Sequence, residues 1–237
     1  MQPTRLASSV VGGGGELESL WLLFGIRLRC AHVELRPARE HDLAQLAAIF
    51  PDDAEHDPNV PMLDGLSLPN NRKRLVLQGY WGALGSWSVD SWCLNFVVSV
   101  DGRTVGVQSL EADHFPELRV VDSGSWLAAD SRRQGVGRAM RAAVLALAFD
   151  HLGAAAAVSS AREDNLASLG VSRSLGYRDN GVSASRAPTG PCTLRHMRLR
   201  REDWQASGRG ATVEVHGVSR CGPWFGVEMP LTGDTPA

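Results

Sequence analysis

The spacing of apolar positions changes along the chain, and each change predicts an element. Residues 92–100 alternate: Leu94, Phe96, Val98 and Val100 fall on one side, Asn95 and Ser99 on the other, the pattern of a half-covered strand. Asp101-Gly102 follows, a two-residue hairpin signal because both central positions favour positive φ, so 103–111 is expected to return antiparallel. Upstream, 32–36 alternates as a strand that Pro37 ends. Leu43, Leu46, Ala47 and Phe50 then recur at helical spacing within 40–50. An Asp-, Pro- and Asn-rich loop over 51–69 leads to a helix at 70–84 stopped by Gly85. Residues 118–128 read as a further strand. From 130 to 152 the period becomes helical, with Val136, Met140, Val144, Leu147 and Ala148 on one stripe and Gly153 placed to end it. Beyond that come a strand at 154–160, a helix at 165–175 stopped by Gly176, and strands from Tyr177, over 193–199 and over 212–215. Antiparallel pairing followed by one strand–helix–strand crossover predicts an α/β (α+β) chain: a mixed, mostly antiparallel twisted sheet flanked by helices, with one βαβ crossover.

Composition narrows the function classes. The chain has 237 residues, 43% hydrophobic and 21% charged, enough for a sizeable core. A net charge of −2 without a basic stripe counts against nucleic acid as partner. The apolar stretch at 20–26 is broken by Gly25 and is too short for a bilayer, and the start lacks the apolar run of a secretory signal. Cys30, Cys93, Cys192 and Cys221 are widely spaced, which fits free thiols in a reducing, cytoplasmic setting. No histidine spacing matches a metal site. Residues 1–31, with the Gly12 to Gly15 run as a linker, are expected to be a flexible extension. The ordered domain is expected over 32–204, and a C-terminal strand and tail over 205–237.

The segment 125–141 carries the chemistry. It sets a glycine-bearing turn between a strand and a helix start, where backbone N–H groups lack acceptors and the dipole favours anions. Gly135 and Gly137 let a ligand approach the backbone closely. Arg132, Arg133, Arg138 and Arg141 crowd the same end; they oppose the helix dipole unless a polyanion is bound, so the site reads as one for phosphate. No Gly-x-x-x-x-Gly-Lys-Ser/Thr loop is present. Met140 stands where a dinucleotide fingerprint needs its third glycine, which weakens a nicotinamide-cofactor reading.

Arg132-x-x-Gly135-x-Gly137 resembles the pyrophosphate-binding motif of the GNAT N-acetyltransferase superfamily. Asn165-x-x-Ser168 with Gly176-Tyr177 looks like that family's Asn-x-x-Ser…Gly-Phe/Tyr helix. Gly124-Ser125-Trp126-Leu127 is similar to a strand end of its ribosomal-protein N-acetyltransferase branch. The likeness spans roughly 32–204. It implies acetyl-CoA as co-substrate and no metal. The N–H groups of Gln134, Gly135, Val136, Gly137 and Arg138 would hold the pyrophosphate, with Arg132 and Arg133 beside them. The backbone of Trp126, Leu127 and Ala128 would pair with the pantetheine arm. Asn165 and Ser168 would lie beside the cofactor, Asn165 equally suiting a helix N-cap. The acetyl group would pass directly to an amine, either a protein N-terminus or a small molecule, and late strands offer a surface for a homodimer.

Such transfer needs a base near the end of the bound arm. Asp122 comes first: it directly follows Val120-Val121, shares pleat parity with Trp126, and stands where the ribosomal-protein branch often has Glu. Glu111 comes second, ahead of Asp113 and His114. Where many members carry a Tyr proton donor this chain has Ser172, leaving water or Ser125 for that step; Tyr177 is expected to pack. The missing Tyr also motivates a rival reading, a non-catalytic acyl-CoA-binding sensor. Trp81, Trp87 and Trp92 are expected in the core rather than in an acceptor pocket.

Overall fold

The computed structural model describes residues 13–54, 60–187 and 190–228. In chain order its elements are α1 (Gly13–Leu20), β1 (Arg27–Cys30), β2 (Val33–Pro37), α2 (Leu43–Ile49), α3 (Leu68–Gly85), β3 (Trp92–Val100), β4 (Arg103–Ala112), α4 (Phe115–Leu118), β5 (Val120–Val121) and β6 (Ser125–Leu127). There follow α5 (Val136–Ala146), β7 (Ala156–Arg162), α6 (Leu166–Ser174), β8 (Arg178–Ala187), β9 (Gly190–Arg200), α7 (Arg201–Ala206), β10 (Val213–His216) and α8 (Gly222–Phe225). One antiparallel sheet has the order β10-β1-β2-β3-β4-β6; a second runs β5-β7-β9-β8, with β5 and β7 parallel. The expected mixed sheet and its single parallel crossover through α5 are both present.

Local chemistry accounts for the centre of the fold. Asp101 and Gly102 both have positive φ, 50° and 76°, and turn β3 into β4. Leu94, Phe96 and Val98 on β3 bury one face of the sheet against α5, whose Val136, Met140 and Val144 belong to the same core, as does Leu147 just beyond it. The opposite face meets α2 and α3 in a smaller cluster of Ala38, Leu43, Leu46, Tyr80 and Val97. α5 runs on as a π-helical turn (Leu147–His151), and Gly153 at φ 73° releases the chain into β7.

The ends depart from expectation. The expected flexible extension is ordered in its second half. Leu28 and Cys30 of β1 are buried, and β1 pairs with β2 on one side and with β10 on the other. Four residues of alternation are too few to announce a strand, and β10 lies at the far end of the chain. The expected glycine linker is helical from Gly13, Gly12 lying outside the described residues. Glu18 anchors that helix by ion pairs to Arg27 and Arg39, so tertiary contact overrides glycine's low propensity. The expected tail turns back to seat Trp224 and Phe225 in an aromatic cluster with Trp21, Trp87, Trp92 and Phe115. Trp87 and Trp92 thus lie in the core as expected, whereas Trp81 is 48% exposed.

The expected strand over 118–128 is split, and that break shapes the site. Val120 and Val121 pair with β7 in the second sheet, while residues 125–127 pair with β4 in the first. Between them Ser109 grips Gly124: its Oγ accepts the Gly124 N–H at 2.9 Å, and its own N–H donates to the Gly124 carbonyl at 2.8 Å. Fully buried Gln108 adds a bond from Nε2 to that carbonyl at 2.9 Å. A Cβ at residue 124 would fall 2.9 Å from the Ser109 Oγ, so only glycine fits without displacing it. From residue 125 onward this strand parts from β7, and β6 becomes the outer edge of the first sheet.

Candidate active site

The glycine turn lies next to the open edge of β6. Helix α5 begins at Val136, later than expected, because 132–135 coil into a turn with left-handed φ at Arg133 (59°) and Gly135 (82°). Such a turn curls successive N–H groups toward one point, an arrangement suited to anions. Helix geometry leaves Val136 and Gly137 N–H without intrahelical acceptors. The Arg138 N–H, expected to join them, is already bonded to the Gly135 carbonyl at 3.1 Å. A Cβ at Gly137 would rest in ordinary contact with Val171 at 3.6 Å and Leu127 at 3.9 Å. Arg133, Gln134 and Arg138 are exposed.

Several other expected cofactor residues are engaged within the protein. Arg132 donates from Nε to the Leu127 carbonyl at 3.1 Å and makes a two-pronged pair with Asp53, at 2.6 and 2.8 Å. Both backbone groups of Ala128 are taken, its N–H by Val105 and its carbonyl by the Ser131 N–H. Glu111–Asp122, Ser109–Gly124 and Val105–Ala128 are bonded pairs, so the alternation turns the backbone of Trp126, expected at the edge, inward toward Val107 and leaves Ser125 and the Leu127 N–H as the open edge. Asn165 caps α6, its Oδ1 accepting the Ser168 N–H at 3.1 Å.

Arg141 does not join the arginine cluster at the turn. It is 4% exposed, donates to the hydroxyls of Ser159 and Ser172 at 3.1 and 3.2 Å, and has no partner on Nε. Its bond to Ser172 occupies the side chain that replaces the family's Tyr. Nearby, the buried Tyr177 hydroxyl has no hydrogen-bond partner within the geometry of a bond. Burial pushes its pKa up to about 12, against the lowering effect of Arg141. An arginine inside an apolar helix stripe was the sequence signal for this buried charge.

On the face of the first sheet toward α2 and α3, the two candidate bases meet. Glu111 and Asp122 exchange backbone hydrogen bonds of 2.9 and 2.8 Å, so they oppose each other and project to one side. Cys93 opposes Glu111 from β3. Burial, then the Asp122 charge, raises the Glu111 pKa. Burial also raises that of Asp122, against a 2.6 Å bond from the Ser123 N–H and the charges of Arg141 and His196. Burial and Glu111 push the Cys93 thiol up to about 12, which makes it a poor nucleophile. Asp113 and His114 are exposed.

A cavity of about 540 Å³ opens over this face, between the sheet and helices α2 and α3. Glu111 lines it, as do Cys93, Asn95, Ser109, Val107 and Trp126; Asp122 does not. Trp126 meets Phe50 edge-on at 5.0 Å. No group of residues suited to a metal occurs among the described residues, and none of their helices is long and apolar enough to cross a membrane.

Comparison with known proteins identifies the family and the fold. The profile of an acetyltransferase (GNAT) domain matches residues 32–178. Among solved structures, Mycobacterium smegmatis RimJ in complex with CoA-disulfide superposes with a TM-score of 0.61 at 21% identity, over 79% of this chain and 97% of that one. RimL, a ribosomal L7/L12 alpha-N-protein acetyltransferase in complex with coenzyme A, gives 0.57 at 17% identity, over 72% and 94%. A spermidine N-acetyltransferase SpeG chimera from Vibrio cholerae and hSSAT gives 0.57 at 13%, over 74% and 99%. These structural likenesses establish the fold, and the profile, covering more than half of the sequence, establishes that the chain belongs to the GNAT acetyltransferase family.

Proposed function

We propose that this acetyltransferase moves an acetyl group from acetyl-CoA directly to a primary amine, with Glu111 as the base. The observation that carries the reading is the two-sided use of β6. Its open backbone edge lies beside the glycine turn, and its Trp126 side chain lines the cavity that also contains Glu111. The N–H groups around Gly135 would hold the pyrophosphate of CoA, and the open edge at Ser125 and Leu127 would pair with the pantetheine arm. That placement brings the thioester toward the Glu111 end of the cavity.

Glu111 takes a proton from the incoming ammonium. The freed nitrogen bonds to the acetyl carbon and gives up a second proton to solvent as the carbon–sulfur bond breaks, and CoA leaves as the thiol after taking up a proton. A carboxylate whose pKa is raised is a stronger base near neutral pH. Asp122 acts behind Glu111, holding that pKa up by its charge rather than touching the amine, which reverses the order suggested by sequence. Ser172 is committed to Arg141, so Ser125, exposed at the start of β6, or solvent supplies the proton for the leaving sulfur.

Thiol release with acetyl-CoA and a panel of amines tests the reading. Glu111→Gln should abolish most turnover while calorimetry shows unchanged CoA affinity. Tight CoA binding without turnover on any amine would favour the sensor alternative.

A further inference from the structure

We infer that the acceptor is a primary monoamine with a compact aromatic or branched apolar body, and that polyamines and peptide N-termini are poor substrates. This rests on the proposed catalytic reading above and goes further by naming the substrate class.

The cavity floor is built in rungs across the sheet. Strand register sets Cys93 opposite Glu111; one step along, Asn95 opposes Ser109; one further, Val107 opposes Trp126. The period of two keeps these rungs on one face. The floor therefore grades from carboxylate through neutral polar groups to valine and tryptophan. Leu43, Leu46 and Val76 from α2 and α3 face the apolar end. Among the described lining residues Glu111 alone carries charge.

An amine seated with nitrogen at Glu111 leaves its body among these apolar groups. A second ammonium there would leave water with no lining carboxylate to pair it, Asp42 behind Tyr80 being held by Arg36, which is unfavourable. A peptide would bring several backbone N–H and C=O groups past Asn95 and Ser109 into the same end, where Tyr80 and Gln78 are the polar side chains among the described lining residues, too few to pair them all. A cavity of about 540 Å³ suits a ligand of drug-fragment size.

The test is a competition among acceptors on the full chain at fixed acetyl-CoA. 2-Phenylethylamine, spermidine and a short peptide with a free N-terminus are compared by kcat/KM, with products identified by mass spectrometry. Phenylethylamine should exceed both others by at least about tenfold, the discrimination expected when a site leaves polar groups unpaired. Equal or better turnover of spermidine or the peptide overturns the inference while leaving the acetyltransferase reading intact. If no amine is turned over, the catalytic reading fails, and the inference is decided by calorimetry of phenylethylamine binding; no binding overturns it. Two variants locate the effect. Gly79 lines the cavity, and a Cβ there would meet nothing within 4 Å, so Gly79→Leu should raise KM for phenylethylamine several-fold without changing CoA affinity. Val76→Trp, from the preceding turn of α3, should do the same. An unchanged KM in both folded variants counts against the cavity as the acceptor site.

Discussion

The two sides of β6 solve opposite binding problems with opposite materials. On the proposed cofactor side the working groups are backbone N–H and C=O, exposed by glycines and by an unpaired strand edge, with the solvated Arg133 and Arg138 beside them. On the proposed acceptor side they are side chains, mostly apolar, closing over the half-buried Glu111 carboxylate. A ligand common to every member of a family can be held by groups that every residue carries. A ligand particular to one enzyme has to be distinguished by side chains, which explains why the sequence displays a motif on one side of β6 and none on the other.

Substitutions can separate the two sides, and the largest effect belongs to the acceptor side. Glu111→Gln should lower kcat by about 10²- to 10⁴-fold, the usual contribution of a positioned base, with CoA affinity unchanged by calorimetry. An equal loss from Asp122→Asn and none from Glu111→Gln would exchange their roles. On the cofactor side, Gly135→Val forces a β-branched residue to φ 82°, a strain of roughly 1–2 kcal/mol, and should weaken CoA about tenfold. The folded variant should still bind phenylethylamine. A smaller change is expected in the pH profile. Burial and the Asp122 charge raise the Glu111 pKa, so the rise of kcat/KM with pH should begin above the ordinary glutamate range. Asp122→Asn removes the second cause and should move that limb to lower pH. Smallest is Asp53→Asn. Its exposed pair with Arg132 contributes at most about 1 kcal/mol, so melting should barely change. The released Arg132 guanidinium should strengthen CoA binding a few-fold at low salt, an effect that fades as salt rises.

Much of this architecture was legible in the residues. The β3–β4 hairpin follows from alternation and Asp101-Gly102, and α5 from its stripe, because both signals are local. The glycine turn was legible for the same reason: the role proposed for it needs backbone exposed at adjacent positions. Less legible were contacts between residues far apart. Nothing near Arg132 indicates that Asp53 occupies it, and nothing near residues 27–30 indicates that β10 pairs there. Asp122 and Glu111 were both candidates, but their opposition across a strand bridge, and the cavity that favours Glu111, depend on the register of three strands.

The sequence alone determined the periods that make each element and the glycines that leave N–H groups available at the start of α5, since both depend on neighbours along the chain. Tertiary structure decided which carboxylate faces the cavity, how polarity is graded along its floor, and that Arg141 is buried rather than solvated. Those outcomes depend on which strands and helices come together, and desolvation and charge act through that proximity in space.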